Sequence, residues 1–184
     1  MSFSSSEAHG RLNPYVTFGT TPAGFWRRVF STLVDELAVF MIVIALAKVV
    51  APGTSITGAT SGAAFYHAAF VFTSLMVVVY TAYEVILIGR GSGRTLGCYV
   101  AGIQVVSTLM DTPGYGRSSK RVAVYLASEV LGFTPIPLLG QLLFLVDNLW
   151  MLFDRDRQTL HDKIAETYVI IHRRSIVENR SQSF

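Results

Sequence analysis

Val29-Phe30-Ser31-Thr32-Leu33-Val34-Asp35-Glu36-Leu37-Ala38-Val39-Phe40-Met41-Ile42-Val43-Ile44-Ala45-Leu46-Ala47-Lys48-Val49-Val50 is a run of about 22 residues interrupted only by Ser31, Thr32, Asp35, Glu36 and Lys48. A helix rises 1.5 Å per residue, so the run is long enough to cross a hydrocarbon core of ~30 Å. Ala45-Leu46-Ala47 has the look of a signal-peptidase site, but the apolar run is too long and begins too far into the chain for a cleaved secretory signal. The stretch reads as an uncleaved first membrane span.

Outward from it, Pro52 to Gly62 is a Gly/Ser/Thr/Pro loop, and Ala63 to Ile88 supplies a second apolar stretch that Gly89-Arg90-Gly91-Ser92-Gly93-Arg94 ends abruptly. A third apolar region, Val122 to Phe153, is too long for one straight span. It is broken at Thr134-Pro135-Ile136-Pro137, where two prolines deny the backbone its helical hydrogen bonds. That leaves two short helices or a re-entrant hairpin. If this region enters and returns, fourteen of the fifteen Lys and Arg residues fall on one side and only Lys48 on the other. The positive-inside rule then makes both termini cytoplasmic, and the expected location is a bacterial-type cytoplasmic (inner) membrane. The expected fold is an all-α integral membrane protein, a compact four-helix bundle whose last two helices are short.

Composition agrees. The chain has 184 residues, 51% hydrophobic and only 15% charged, with a mean hydropathy of +0.46, against roughly 25% charged in an ordinary soluble domain. That deficit of charge excludes a disordered tail or a conventional basic nucleic-acid binder, the net charge of +3 resting on a small excess, and the single cysteine, Cys98, excludes an intrachain disulfide. Residues 1–22 are polar and aperiodic, a flexible cytoplasmic arm, and residues 173–184 form a polar tail. Two cytoplasmic segments remain. Thr95 to Ser107 is apolar but too short to span, and Glu166 to His172 is β-branched. Either they lie on the membrane surface, or Gly102 to Val106 and Tyr168 to Ile171 form a small β-pair.

Three pieces of the chain resemble the RDD family of small membrane proteins, named for one arginine and two aspartates. Gly24-Phe25-Trp26-Arg27-Arg28-Val29-Phe30-Ser31-Thr32-Leu33-Val34-Asp35 is similar to the family's opening helix, with Arg28 as its arginine and Asp35 as its first aspartate. Thr95-Leu96-Gly97-Cys98-Tyr99-Val100-Ala101-Gly102-Ile103-Gln104-Val105-Val106 follows a family-like Glu84, and Arg157-Gln158-Thr159-Leu160-His161-Asp162-Lys163-Ile164-Ala165-Glu166-Thr167-Tyr168-Val169 carries Asp162 as the second aspartate. The resemblance covers residues 23–172. It departs at Cys98, where the family commonly has lysine, and at Glu166, where it commonly has glycine. For activity it implies a transport role, cation/proton exchange included.

The acidic residues carry the candidate chemistry. Arg28 and Asp35 are two turns apart on one helix face, too far to touch, so each needs another partner, and an Arg28–Asp162 ion pair would tie the first helix to the C-terminal segment. Counted from the nearest basic residue, Asp35, Glu84, Glu129 and Asp147 all sit about 9–12 Å inside the cytoplasmic edge. Ionisable groups at that depth face the bundle interior, and four carboxylates at one level must share protons, bind a cation, or pair with Arg, Lys or hydroxyl groups. Glu36 lies about 100° round the helix from Asp35 and points to headgroups or to another helix. Asp154, Asp156, His161 and Asp162 lack the rest of a metal ligand set, and no nucleophile elbow, Walker loop or zinc-peptidase motif occurs. No metal, cofactor or enzymatic activity is therefore expected.

Two functions follow. One is ion-coupled (Na⁺/H⁺) or small-solute transport through a cytoplasm-facing acidic vestibule, by a homo-oligomer because four short helices enclose little volume. The other is a non-catalytic accessory or assembly subunit of a larger membrane complex.

Overall fold

The computed structural model describes residue 15 and residues 19–50, 62–132 and 138–172. In chain order these form α1 (Phe25–Val50), α2 (Gly62–Arg90), α3 (Leu96–Ala101), β1 (Ile103–Ser107), α4 (Gly114–Gly132), α5 (Leu138–Leu149) with a short 3₁₀ turn at Trp150–Leu152, α6 (Leu160–Ile164) and β2 (Thr167–Ile171). The expected break in the third apolar region separates α4 from α5; Thr134 to Pro137 themselves lie outside the described residues, as do residues 1–14 and 173–184 of the expected arm and tail. Among the described helices, α2 alone is both long and apolar enough to cross a membrane. In α1 the same length is interrupted by Asp35, Glu36 and Lys48.

α1 buries Ser31, Asp35, Val39 and Val43. Spaced four apart, these make one narrow stripe. The rest of its circumference leaves large apolar side chains uncovered, Leu33 at 63%, Leu37 at 62% and Met41 at 59% exposure. The long helices pack in succession, α1 on α2, α2 on α4 and α4 on α5, while α3 lies along α1. The close crossing of α4 and α5 depends on Gly140, since a β-carbon there would meet the backbone of Ser128 and Gly132.

β1 and β2 pair antiparallel with Val105 opposite Val169 and Ser107 opposite Thr167. The chain thus contains the small β-pair, although every long element is helical. Period-2 alternation sends Ile103, Val105 and Val169 into a core with Ala23, Ile88, Cys98 and Ala101, and Val106 and Ile170 into a second core with Tyr15. The arm expected to be flexible over residues 1–22 is anchored at its end. Ile171 N–H donates to the Thr21 carbonyl at 2.8 Å and Ala23 N–H to the Val169 carbonyl at 2.8 Å, so residues 21–23 follow the open edge of β2. Tyr15 stacks edge-on against Tyr168 with ring centroids 5.4 Å apart, and its hydroxyl donates to the Asp156 carbonyl at 2.6 Å. A tyrosine with an apolar face and a paired hydroxyl is a natural anchor for a polar segment.

Candidate functional site

The two aspartates of the sequence motifs serve separate clasps at one end of α1. Asp35 is buried and accepts three hydrogen bonds: from the Tyr83 hydroxyl at 2.6 Å, from Thr95 Oγ1 at 2.7 Å and from Gly97 N–H at 2.7 Å. Thr95 is also the N-cap of α3, its oxygen accepting from Cys98 N–H at 3.1 Å, and Gly102 closes α3 at φ +66°, the left-handed cap conformation glycine adopts without strain. Residue 97 has to be glycine, because a β-carbon would collide with the Ser31 carbonyl and the Asp35 carboxylate. Asp35 therefore holds α2 and α3 onto α1. Cys98, at the family's usual lysine position, is buried beside Ser31, whose hydroxyl donates to Sγ at 3.5 Å.

The second clasp is built on α6. Thr159 and Asp162 form a reciprocal capping box, which fixes the Asp162 carboxylate at the start of the helix with no exposed surface. Arg28 Nη1 reaches Asp162 Oδ2 at 2.5 Å, and Arg121 Nη1 pairs with Oδ1. The pairing of Arg28 with Asp162 is thus present, but Asp162 is shared. Burial alone would raise its pKa; Arg28, Arg121 and His161 overcome that and hold the carboxyl well below the usual carboxylate range.

Arg121 is the hub. Beyond Asp162 it donates to Thr167 Oγ1 at 3.0 Å, lies 3.5 Å from Glu84 Oε1 through Nε and sets an Nη2 3.3 Å from His161 Nε2. His161 in turn meets Asp147 twice, by its backbone N–H at 2.8 Å and by Nδ1 at 2.7 Å. The Asp147–His161–Arg121–Asp162–Arg28 chain links α5, α6, α4 and α1, with Glu84 bringing in α2.

A cavity of about 390 Å³ lies among α1, α2, α4 and α5, with Arg28, Thr95, Arg121 and His161 of the two clasps in its wall. Asp35, Glu84 and Asp147 line it; Glu129, expected to join them, does not, and Glu36 takes its place. The reason is azimuth. Depth along a helix does not fix direction round it, and on α4 the inward position belongs to the buried Ser128, while Glu129, about 100° away, lies on the side of Tyr125 one turn back. Of the acids lining the cavity, Asp35 is spent on α3, Asp147 on His161 and Glu84 on Arg121. Glu36 has no hydrogen-bond or ion-pair partner among the described residues and stands within electrostatic range of Glu129, Asp35 and Glu84. Sequence reasoning placed Tyr83 in an interfacial aromatic belt, weighed His161 only within an incomplete metal ligand set, counted Arg121 only among the cytoplasmic basic residues and turned Glu36 elsewhere; the one usable signal was that Arg121 opens the third apolar region, where an arginine needs a buried acid.

The first helix is thus tied to the C-terminal segment by an Arg–Asp pair and to a short capped helix by a second aspartate. The RDD family profile matches residues 22–166, well over half of the chain, and the protein belongs to that membrane-associated family. No curated protein and no solved structure matches the chain.

Proposed function

We propose that the protein is embedded in the cytoplasmic membrane as a four-helix bundle with both termini inside, and carries Na⁺ or H⁺, alone or coupled to a small solute, through the acidic cavity. The supporting observation is Glu36. It is a carboxylate without a neutralising partner among the described residues, on the wall of a cavity that four helices bound. An ionisable group inside a span is costly unless a proton, a cation or a paired side chain neutralises it. Arg121 offers no relief, being already shared between Asp162 and Glu84.

The membrane setting draws on the family, on α2 and on the apolar residues that α1 leaves uncovered, a surface much larger than soluble monomers tolerate. The accessory-subunit reading has its own support, since Asp35, Asp147 and Asp162 are all committed to structural bonds. Purified protein reconstituted in liposomes decides between the two readings. An imposed Na⁺ gradient should drive proton movement read by an internal pH dye; flux no greater than in protein-free liposomes, from a correctly folded preparation, favours the subunit.

A further inference from the structure

We propose that α3 and the Trp26–Arg27 entry to α1 form a binding site for the headgroup of an anionic phospholipid in the cytoplasmic leaflet. The proposal rests on the membrane reading above. α3 is two-sided: Gly97, Cys98 and Ala101 are buried against the protein, whereas Leu96, Tyr99 and Val100 are 50%, 67% and 54% exposed, and the nearby Trp26 is 78% exposed. An outward face of that composition is suited to the boundary between headgroups and acyl chains, where Trp and Tyr concentrate.

Charge identifies the occupant. Arg27 donates to the Ala101 carbonyl at 3.1 Å and Arg94 to the Tyr99 carbonyl at 3.2 Å, so both guanidinium groups are held on carbonyls in the C-terminal half of α3. Arg94 also lies 4.7 Å over the Tyr99 ring, a cation–π contact that keeps its charge above the apolar face. Neither arginine has a carboxylate partner among the described residues, in contrast to Arg28 and Arg121. A guanidinium carries five N–H donors, and these carbonyl bonds leave most of them for a phosphate. A free phosphate would need the arginines alone. The exposed apolar side chains of α3 and Trp26 fit a phosphate that carries acyl chains.

The chain has two tryptophans, so Trp150→Phe leaves Trp26 as the sole indole reporter. In the full-length W150F protein reconstituted in phosphatidylcholine vesicles, brominated phosphatidylglycerol should quench Trp26 at lower mole fraction than brominated phosphatidylcholine. That preference should fall about five-fold for each arginine removed in R27Q and R94Q, survive in R27K/R94K, and resist millimolar inorganic phosphate. Equal quenching by the two lipids in the W150F protein, which needs no arginine variant to fold, overturns the proposal and leaves the membrane reading standing. Displacement by inorganic phosphate overturns it in favour of a free-anion site. An absence of quenching by either lipid contradicts the membrane reading and the proposal together.

Discussion

Arg28 and Asp162, 134 positions apart in the chain, are joined by a 2.5 Å hydrogen-bonded ion pair that anchors α1 to the capping box of α6. Because Asp162 also holds Arg121, its loss leaves two guanidiniums without their shared partner. Asp162→Ala should cost about 3–5 kcal/mol, the scale for breaking a buried pair, and Arg28→Ala less, since Arg121 still neutralises the carboxylate. Thermal unfolding in mild detergent measures both. Exchanging the two residues should not rescue either loss, because an arginine at position 162 would face Arg121.

The same aspartate sets the acid limit. Its pKa is held below the ordinary carboxylate range in the folded state, so the unfolded chain binds more protons than the native one as the pH falls past ~4. The stability Asp162 contributes is full above about pH 5 and declines progressively below that. Asp154, lowered in spite of burial by its bond to Lys163 and by backbone N–H groups, acts in the same direction. Unfolding midpoints measured from pH 7 down to pH 3 should fall for the wild type and fall less steeply for Asp162→Asn. Parallel slopes would mean that Asp162 is not the group responsible.

Asp35 is predicted to be structural first. Asp35→Asn replaces one of the two oxygens that accept from three donors and should cost about 1.5–3 kcal/mol, whereas Tyr83→Phe removes one hydroxyl and should cost about 1 kcal/mol. The two share a hydrogen bond, so a double-mutant cycle should show coupling; strict additivity would show that the Tyr83–Asp35 bond contributes nothing.

Glu166 stands where the family resemblance places glycine, and its φ is +55°. A side chain in the left-handed region costs about 1–2 kcal/mol, and the long 3.8 Å approach of Glu166 to Arg117 is too exposed to offset that. Glu166→Gly should therefore raise the unfolding midpoint. A lowered midpoint would give the Arg117 contact more weight than its geometry suggests.

The proposed orientation puts the α1–α2 connection outside the cell. A cysteine at Ser55 should react with a membrane-impermeant thiol reagent added to intact cells, and one at Ser181 should not. Labelling at position 181 would reverse the topology. Native Cys98 is buried and should stay silent.

What could be read from the residues alone was whatever depends on one segment or on order along the chain. The double proline marks the gap between α4 and α5, β-branching in Thr167–Ile171 marks a strand, and the expected pairing of Gly102–Val106 with Tyr168–Ile171 differs from the observed Ile103–Ser107 with Thr167–Ile171 only at the ends. Arg28 and Asp162 could be matched because their motifs flank the same membrane edge. Contacts that depend on direction round a helix were out of reach. The donors to Asp35 come from α2 and from the N-terminal end of α3, and nothing local at Tyr83, Thr95 or Gly97 advertises them. For the same reason, Ser128 lines the cavity where the adjacent Glu129 was expected, as depth is linear in sequence but facing is not. The anchoring of Tyr15 on Tyr168 was hidden by the polar composition around it.

The most direct test of the transport reading compares two conservative changes in one proteoliposome assay. Glu36→Gln removes the unpartnered carboxylate of the cavity and Glu129→Gln removes one that lies off it. With equal amounts of folded protein and an imposed Na⁺ gradient, Glu36→Gln should abolish coupled proton flux and Glu129→Gln should retain it at the wild-type rate. Undiminished flux in Glu36→Gln would contradict the central claim.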